Sequence, residues 1–183
     1  MSAKDRLISQ ELLKGLFDYD PDTGVLTHKV REGANSKSFN TQLAGRPAGT
    51  CQNSGYTQVS IKTKEGRKLY LAHRVIFMLV YGYVPEEVDH VNRVRTDNRL
   101  TNLREATHSQ NQANKPTTRT TKSGLRGLWY VEGRDLWRVQ CNRKGKTKTV
   151  GYFKTKKEAA EVYNSFAVAE FGEFAVLNQL GGL

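Results

Sequence analysis

The sequence predicts an α+β chain built as two small domains, each pairing short antiparallel strands with helices. Three observations predict it. From Gly55, apolar Val59 and Ile61 alternate, together with Thr57, against polar Gln58, Ser60 and Lys62, which is the period of a half-buried strand. From about Leu71 to Tyr83 the period lengthens to that of a helix, with Ile76, Leu79, Val80 and Tyr83 on one face. Periodicity then stops over Lys115 to Gly124, a polar and basic run, and resumes beyond it. A chain of 183 residues holds one ordinary domain or two small ones, and the break favours two, over 1–114 and 124–183, joined by a linker at 115–123.

Each element has a local cause. Ser9 is placed to cap a short helix carrying Leu12, Leu13, Leu16 and Phe17. Asp20-Pro21-Asp22-Thr23-Gly24 is a turn signal, with a small hairpin expected after it. Arg31 to Thr50, rich in Gly, Ser and Asn, reads as irregular and exposed. The strand around Val59 turns at Lys64 to Arg67 and returns through Tyr70 to Ala72. Val88 to Val91 reads as a strand, Asn92 to Thr101 as a polar loop, and Leu103 to Ala106 as the returning strand. Thr107 with Gln110 forms a capping box that starts a helix.

Beyond the linker, Gly127 to Val131, Leu136 to Asn142 and Thr147 to Phe153 read as three strands. Their turns hold Glu132-Gly133-Arg134-Asp135 and Arg143-Lys144-Gly145-Lys146. In the middle strand Trp137, Val139 and Cys141 share one face, and Arg138, Gln140 and Asn142 the other. A helix follows, opened by a Thr155/Glu158 capping box and stopped by Gly172. Its apolar face, Ala159, Val162 or Tyr163, Phe166 and Ala167, is expected to cover the Trp137 side and leave the Arg138 side open.

Charge narrows the function classes. The chain carries a net +11 at neutral pH and a pI near 9.7, which points to a polyanionic partner. Between Lys115 and Lys156 there are twelve Lys or Arg against Glu132 and Asp135, so ten of the eleven net charges lie there. No long basic amphipathic helix is visible, and the apolar run Val75 to Tyr81 is too short to span a bilayer, so a membrane partner is not expected. Met1-Ser-Ala-Lys-Asp leads into a polar segment rather than an apolar signal core, so a soluble intracellular protein is expected. Cys51 and Cys141 lie in different segments and support neither a structural zinc site nor, in a reducing compartment, a disulfide.

The chemistry concentrates in Asp89-His90, followed by Asn102 and Asn111. Cutting a phosphodiester needs an oxygen ligand that holds a hard divalent cation against phosphate, and a base that deprotonates water. Asp89 and His90 can supply these. Asn111 falls in the second turn of its helix and can offer an amide oxygen to the same cation, while Asn102 closes the polar loop by bonding backbone groups. Each residue alone is an ordinary loop constituent; their order, set in a strand, loop, strand and capped helix, carries the inference. His73 is expected to pack or face phosphate, His28 to be structural, and His108 to lie within reach of DNA.

These residues resemble the His-Asn-His (HNH) nucleases, in the branch found in homing endonucleases that ends in Asn. The resemblance rests on Ala72-His73-Arg74-Val75, Asp89-His90-Val91-Asn92, Asp97-Asn98-Arg99-Leu100-Thr101-Asn102-Leu103-Arg104 and Ser109-Gln110-Asn111, within roughly Leu12 to Asn114. It implies a ββα-metal core at about 86–114, with Asp89 and Asn111 binding one catalytic magnesium, or manganese, His90 activating water and Asn102 bracing the loop.

Ser123 to Asn178 resembles the APETALA/ethylene-response-factor (AP2/ERF) DNA-binding domain. The matching residues are Gly124 to Leu128, Trp137 to Gln140, Val150 to Phe153, Ala159-Ala160, Tyr163-Asn164, Gly172, Ala175 and Leu177-Asn178. By that resemblance the DNA face carries Arg126, Trp129, Arg134, Arg138, Gln140, Arg143, Thr147 and Thr149. Thr147 and Thr149 stand where the plant pattern has Arg and Trp, so base preference does not transfer.

The reading is a metal-dependent endonuclease acting on duplex DNA, with no obligate protein partner evident. The alternatives are a DNA-binding regulator with an inactive nuclease domain, and a nonspecific RNA-binding protein.

Overall fold

The computed structural model describes residues 8–33, 36–115, 123–143 and 146–181, without the side chain of Arg143. The linker expected at 115–123 and the turn at Lys144-Gly145 therefore fall largely outside the described residues. The fold is α+β, and it divides into two compact units, Met1–Ala106 and Thr107–Leu183. The division comes eight residues before the expected domain end at 114, so the helix that follows Thr107 groups with the C-terminal residues.

The first unit opens with α1 (Gln10–Leu16), where Ser9 accepts from the Leu12 amide as the expected cap. Phe17 leaves that helix and begins β1 (Phe17–Asp20), which pairs antiparallel with β2 (Val25–His28). The Asp20 to Gly24 turn thus sits inside the hairpin rather than before it.

The segment expected to be irregular contains α2 (Lys37–Leu43) and a short strand, β3 (Thr50–Cys51). Helix α2 buries none of its residues, which is why no apolar period betrayed it. It is held instead by the Asn40 side chain, which exchanges two hydrogen bonds with the Arg31 backbone, and by the Arg31 guanidinium lying 3.5 Å over the Phe39 ring.

Strand β3 joins β4 (Thr57–Thr63) and β5 (Gly66–Leu71) in an antiparallel sheet ordered β3-β4-β5. Then comes α3 (Ala72–Tyr81), ended by Gly82 in the left-handed conformation, the residue before Tyr83. Its burial is wider than one stripe: His73, Val75, Ile76, Phe77, Met78 and Leu79 are all buried, so this is the unit's central helix. Tyr83, expected on the apolar face, is 43% exposed. The core unites Leu13, Phe17, Val59, Ile61, Val75 and Ile76. Strands β6 (Glu87–His90) and β7 (Leu103–Ala106) complete the unit as a hairpin that sets Asp89 opposite Arg104 and His90 opposite Leu103.

The second unit begins with α4 (His108–Asn114), whose Thr107/Gln110 capping box is present as expected. Strands β8 (Leu128–Val131), β9 (Leu136–Arg143) and β10 (Lys146–Phe153) form a sheet ordered β10-β9-β8, and α5 (Lys156–Phe171) packs on it. Leu128, Val139 and Cys141 meet Ala159, Ala160, Tyr163 and Ala167 in its core, so Tyr163 rather than Val162 carries the helix face. The Thr155/Glu158 capping box and the Gly172 stop are as expected.

Candidate functional site

Asp89 and His90 are neighbours on a four-residue strand and are both buried, each 5% exposed. Successive residues on a strand point to opposite faces, so each side chain has its own fixing partner. The Arg104 guanidinium, cross-strand from Asp89, donates from Nε at 3.0 Å and from Nη2 at 2.9 Å, both to Oδ2. A buried carboxylate needs such a partner, because its desolvation is otherwise costly.

His90 sits in a pack of rings. His73 from the first turn of α3 meets it edge-on at 4.9 Å, and Tyr56 lies 5.3 Å from His73 and 6.1 Å from His90. Asn98 faces it with Oδ1 3.2 Å from Nε2. With the amide oxygen toward the ring, the neutral tautomer carries its proton on Nε2 and its lone pair on Nδ1. Burial holds the His90 pKa below the ordinary 6.5, against the opposing pull of the Asn98 hydrogen bond and of Asp89 and Asp97. The ring is therefore neutral at pH 7, the state a general base requires.

The loop between the strands is ordered by its own side chains. Asn102 is buried, accepts from the Asn92 amide at 2.9 Å through Oδ1, and donates from Nδ2 to the Asp97 carbonyl at 2.7 Å. Asp97 accepts from Arg99 at 2.8 and 2.6 Å and from Asn92 at 2.6 Å, which holds its carboxyl well below the usual range. The N-terminal hairpin braces the same loop. Tyr19 donates its hydroxyl to the Asn98 carbonyl at 2.9 Å, and the Leu100 amide donates to Pro21 at 3.1 Å. Gly24, at φ +74°, lies so close that a Cβ there would stand 2.4 Å from the Arg99 nitrogen.

Asn111 lies in the second turn of α4, as expected, and so belongs to the second unit, while Asp89, His90 and Asn102 belong to the first. Asp89 and Asn111 would both offer hard oxygen donors. That donor chemistry fits magnesium, which binds through one or two carboxylates, retains waters and takes substrate phosphate. Among the described residues no three His, Cys, Asp or Glu gather as a cation cage. Cys51 is exposed and Cys141 buried; both are free, and burial pushes the Cys141 thiol up to about 11.

In the second unit the strand register gathers most of the basic face. Arg138 lies opposite Trp129 and Tyr152, Gln140 opposite Thr149, and Asn142 opposite Thr147, all on the sheet side away from the α5 core. The Arg138 guanidinium stands 5.9 Å over the Trp129 ring, and its buried Nε meets no acceptor among the described residues. Arg134 stands 5.5 Å over Tyr152 at the rim. Gln140 donates to Thr149 at 3.4 Å. Arg126 is placed elsewhere, with its guanidinium on the carbonyls of Gln112 and Lys115 at the end of α4. The Arg143 side chain lies outside the described residues.

Comparison with known proteins now bears on this geometry. Residues 70–113 match the family model described as HNH endonuclease, a segment that contains Asp89, His90, Asn102 and Asn111. An uncharacterized HNH endonuclease of Acanthamoeba polyphaga mimivirus is 33% identical over 111 residues, which cover 59% of this chain and 57% of that protein. The match thus spans little more than half of the relative. A solved structure of the HNH homing endonuclease I-HmuI is similar over 81% of this chain and 77% of its own, at 19% identity and a TM-score of 0.42.

Around Asp89, His90 and Asn102 the structure gathers three further side chains, His73, Arg104 and Asn98. His73, expected to pack or to face phosphate, packs: it is buried against His90. Arg104 and Asn98 were seen only as parts of a motif. The signal for Arg104 was available: two residues that face each other across a hairpin, one acidic and one basic, pair if the register is known.

Proposed function

We propose that this chain is a divalent-metal-dependent endonuclease of the HNH homing type, acting on duplex DNA bound by the C-terminal sheet. One observation carries the reading: the buried Asp89-His90 pair, with its carboxylate fixed by Arg104 and its imidazole fixed by Asn98, lies inside the segment that matches the HNH endonuclease family. A rigid acid beside a neutral base is the equipment for water activation at phosphate.

Asp89 and the Asn111 amide oxygen would hold the cation, taken to be magnesium, with manganese as the variant. When bound, it supplies Lewis-acid neutralisation of the phosphate and of the leaving oxygen. His90 takes a proton from water as the water attacks phosphorus and the bond from phosphorus to the 3′ oxygen breaks; that oxygen takes a proton from solvent, leaving 5′-phosphate and 3′-hydroxyl ends. Asn102 keeps the loop, and through it Asn98, in register with the base.

The C-terminal unit is read as an AP2/ERF-type DNA-binding module, with Trp129, Arg134, Arg138, Gln140, Thr147 and Thr149 toward the duplex. Its support is the register that collects Trp129, Arg138, Gln140, Thr147 and Thr149 on the open sheet face, with Arg134 at its rim over Tyr152. Arg and Gln can each make paired bonds to base edges in the major groove. The described residues contain no helix long and apolar enough to cross a membrane.

The deciding experiment is cleavage of a supercoiled plasmid library with magnesium, with EDTA, and with His90→Ala alongside. Nicked or linear product is expected only with both the metal and His90, and His90→Ala is expected to retain duplex binding in a gel shift. Wild-type protein that shifts duplex DNA but cuts none of the library would favour a DNA-binding regulator with a silent nuclease domain.

A further inference from the structure

Helix α4 is seven residues long, and a helix of that length does not hold itself together in water. Only Ala113 and Asn114 of its residues are buried. Beside it opens a cavity of about 590 Å³ lined by His108, Gln112, Arg126, Gln140, Tyr163 and Phe166, among others. Helix α4 also meets the turn Gly172–Phe174, whose Phe174 is buried, and a polar fastening joins that packing.

That fastening is Arg126. Its Nη1 donates to the Lys115 carbonyl at 2.8 Å and its Nη2 to the Gln112 carbonyl at 3.2 Å. These are acceptors in the last turn of α4, where the Gln112 carbonyl also receives a long 3.4 Å bond from the Lys115 amide and the helix dipole favours a cation. The Arg126 backbone is in turn gripped from both sides: its amide donates to Asn178 Oδ1 at 2.7 Å, and its carbonyl accepts from Asn178 Nδ2 at 3.0 Å. Asn178 is gripped the same way by Asn164 of α5, with its amide donating to Asn164 Oδ1 at 2.7 Å and its carbonyl accepting from Asn164 Nδ2 at 2.9 Å. Two reciprocal amide clasps therefore run from α5 through the segment after it to Arg126, and the Arg126 fork passes the connection to α4.

We infer that Arg126 is a positioning residue: through the Asn164–Asn178–Arg126 chain, the sheet-and-helix module sets the place of α4 and hence of Asn111. The inference rests on the reading of Asn111 as a cation ligand in the proposed nuclease. It gives Arg126 a task besides the contact with DNA expected of it from the sequence.

The test compares full-length wild type, Arg126→Ala, Arg126→Lys and Asn111→Ala in three measurements. Amide hydrogen exchange over 108–114 is expected to be at least tenfold faster in Arg126→Ala, with the β9 and β10 amides unchanged. Cleavage of a cognate duplex is expected to lose at least tenfold in kcat with KM within twofold. The magnesium needed for half-maximal rate should rise about fivefold, toward that of Asn111→Ala. Lysine, a single point donor in place of a fork, is expected to restore only part of the rate.

Unchanged exchange in Arg126→Ala would overturn the inference, and so would a raised KM and duplex Kd with intact kcat, which marks a DNA contact. Exchange is read without cleavage. Faster α4 exchange in a protein that cuts no DNA would therefore sink the nuclease reading and leave the fastening of α4 standing.

Discussion

At the residue scale the proposed chemistry depends on two buried side chains, each held by its own partner. His90 is neutral because burial outweighs the negative charges of Asp89 and Asp97. Its conjugate acid cannot accept a proton, so the rate falls as pH drops through its pKa. That pKa is depressed, so the acid limb of the kcat profile is expected to have its inflection below 6.5. An inflection above that value would mean that the aspartates dominate and that the ring is more solvated than the packed His73 and Tyr56 allow. Asp89 is paired with Arg104, the two side chains being 6% and 13% exposed. Removing one partner of such a pair strands a buried charge, so Arg104→Ala should destabilise the protein by about 3–5 kcal/mol. Urea denaturation followed by tryptophan-independent circular dichroism would read it, and a loss under 1 kcal/mol would mean that water reaches Asp89 in the folded state.

Among the elements, the C-terminal sheet shows how one small residue governs the packing behind the proposed docking face. Gly127 precedes β8 at φ +75°, and a Cβ there would stand 2.3 Å from a ring carbon of Tyr163 on α5 and 2.7 Å from the Gln140 carbonyl. The left-handed backbone and the close approach both require glycine. Gly127→Ala is therefore expected to pry α5 from β8 and β9 and to abolish duplex binding, with the near-ultraviolet signal of the Trp129 and Trp137 side chains collapsing. Retained binding would show that the sheet tolerates a shift of its first strand. The hairpin β6–β7 is stabilised differently, by the Asn102 and Asp97 bonds that span its loop and by the β1–β2 turn pressed against Asn98 and Arg99. The N-terminal hairpin thus serves the proposed site although none of its residues bears the chemistry.

Across the whole molecule, charge is segregated rather than spread, with ten of eleven net positive charges between Lys115 and Lys156. Each phosphate contact by Lys or Arg releases counterions, and the log-log dependence of affinity on salt has a slope of about −0.9 per contact. Deleting Ser123 to Leu183 should therefore flatten that slope sharply in duplex binding measured across salt. If the slope persisted, the phosphate contacts would belong to the first unit. The boundary between compact units at Ala106 and Thr107 adds a second consequence. The strand pair that carries Asp89 and His90 is built by one unit, and the helix that carries Asn111 is fastened within the other by Arg126.

The sequence alone determined what local rules encode. Capping boxes at Thr107 and Thr155, the stop at Gly172, the alternation of β9 and the order Asp, His, Asn, Asn are all written in residues a few positions apart, where propensity and hydrogen-bond reach decide. Helix α2 was illegible because it buries nothing and is held by Asn40 and Arg31, whose bonds leave no period in the sequence. The partners of the site were illegible for another reason. His73 against His90, Tyr19 on Asn98 and Asn178 on Arg126 join residues 17, 79 and 52 positions apart. Contacts at that separation depend on how sheets and helices pack, and packing is settled by the burial of whole faces rather than by any neighbouring residue. Tertiary structure therefore decided the setting of each candidate group: the base neutral, the carboxylate paired, and Arg126 turned from the sheet face to the end of a helix.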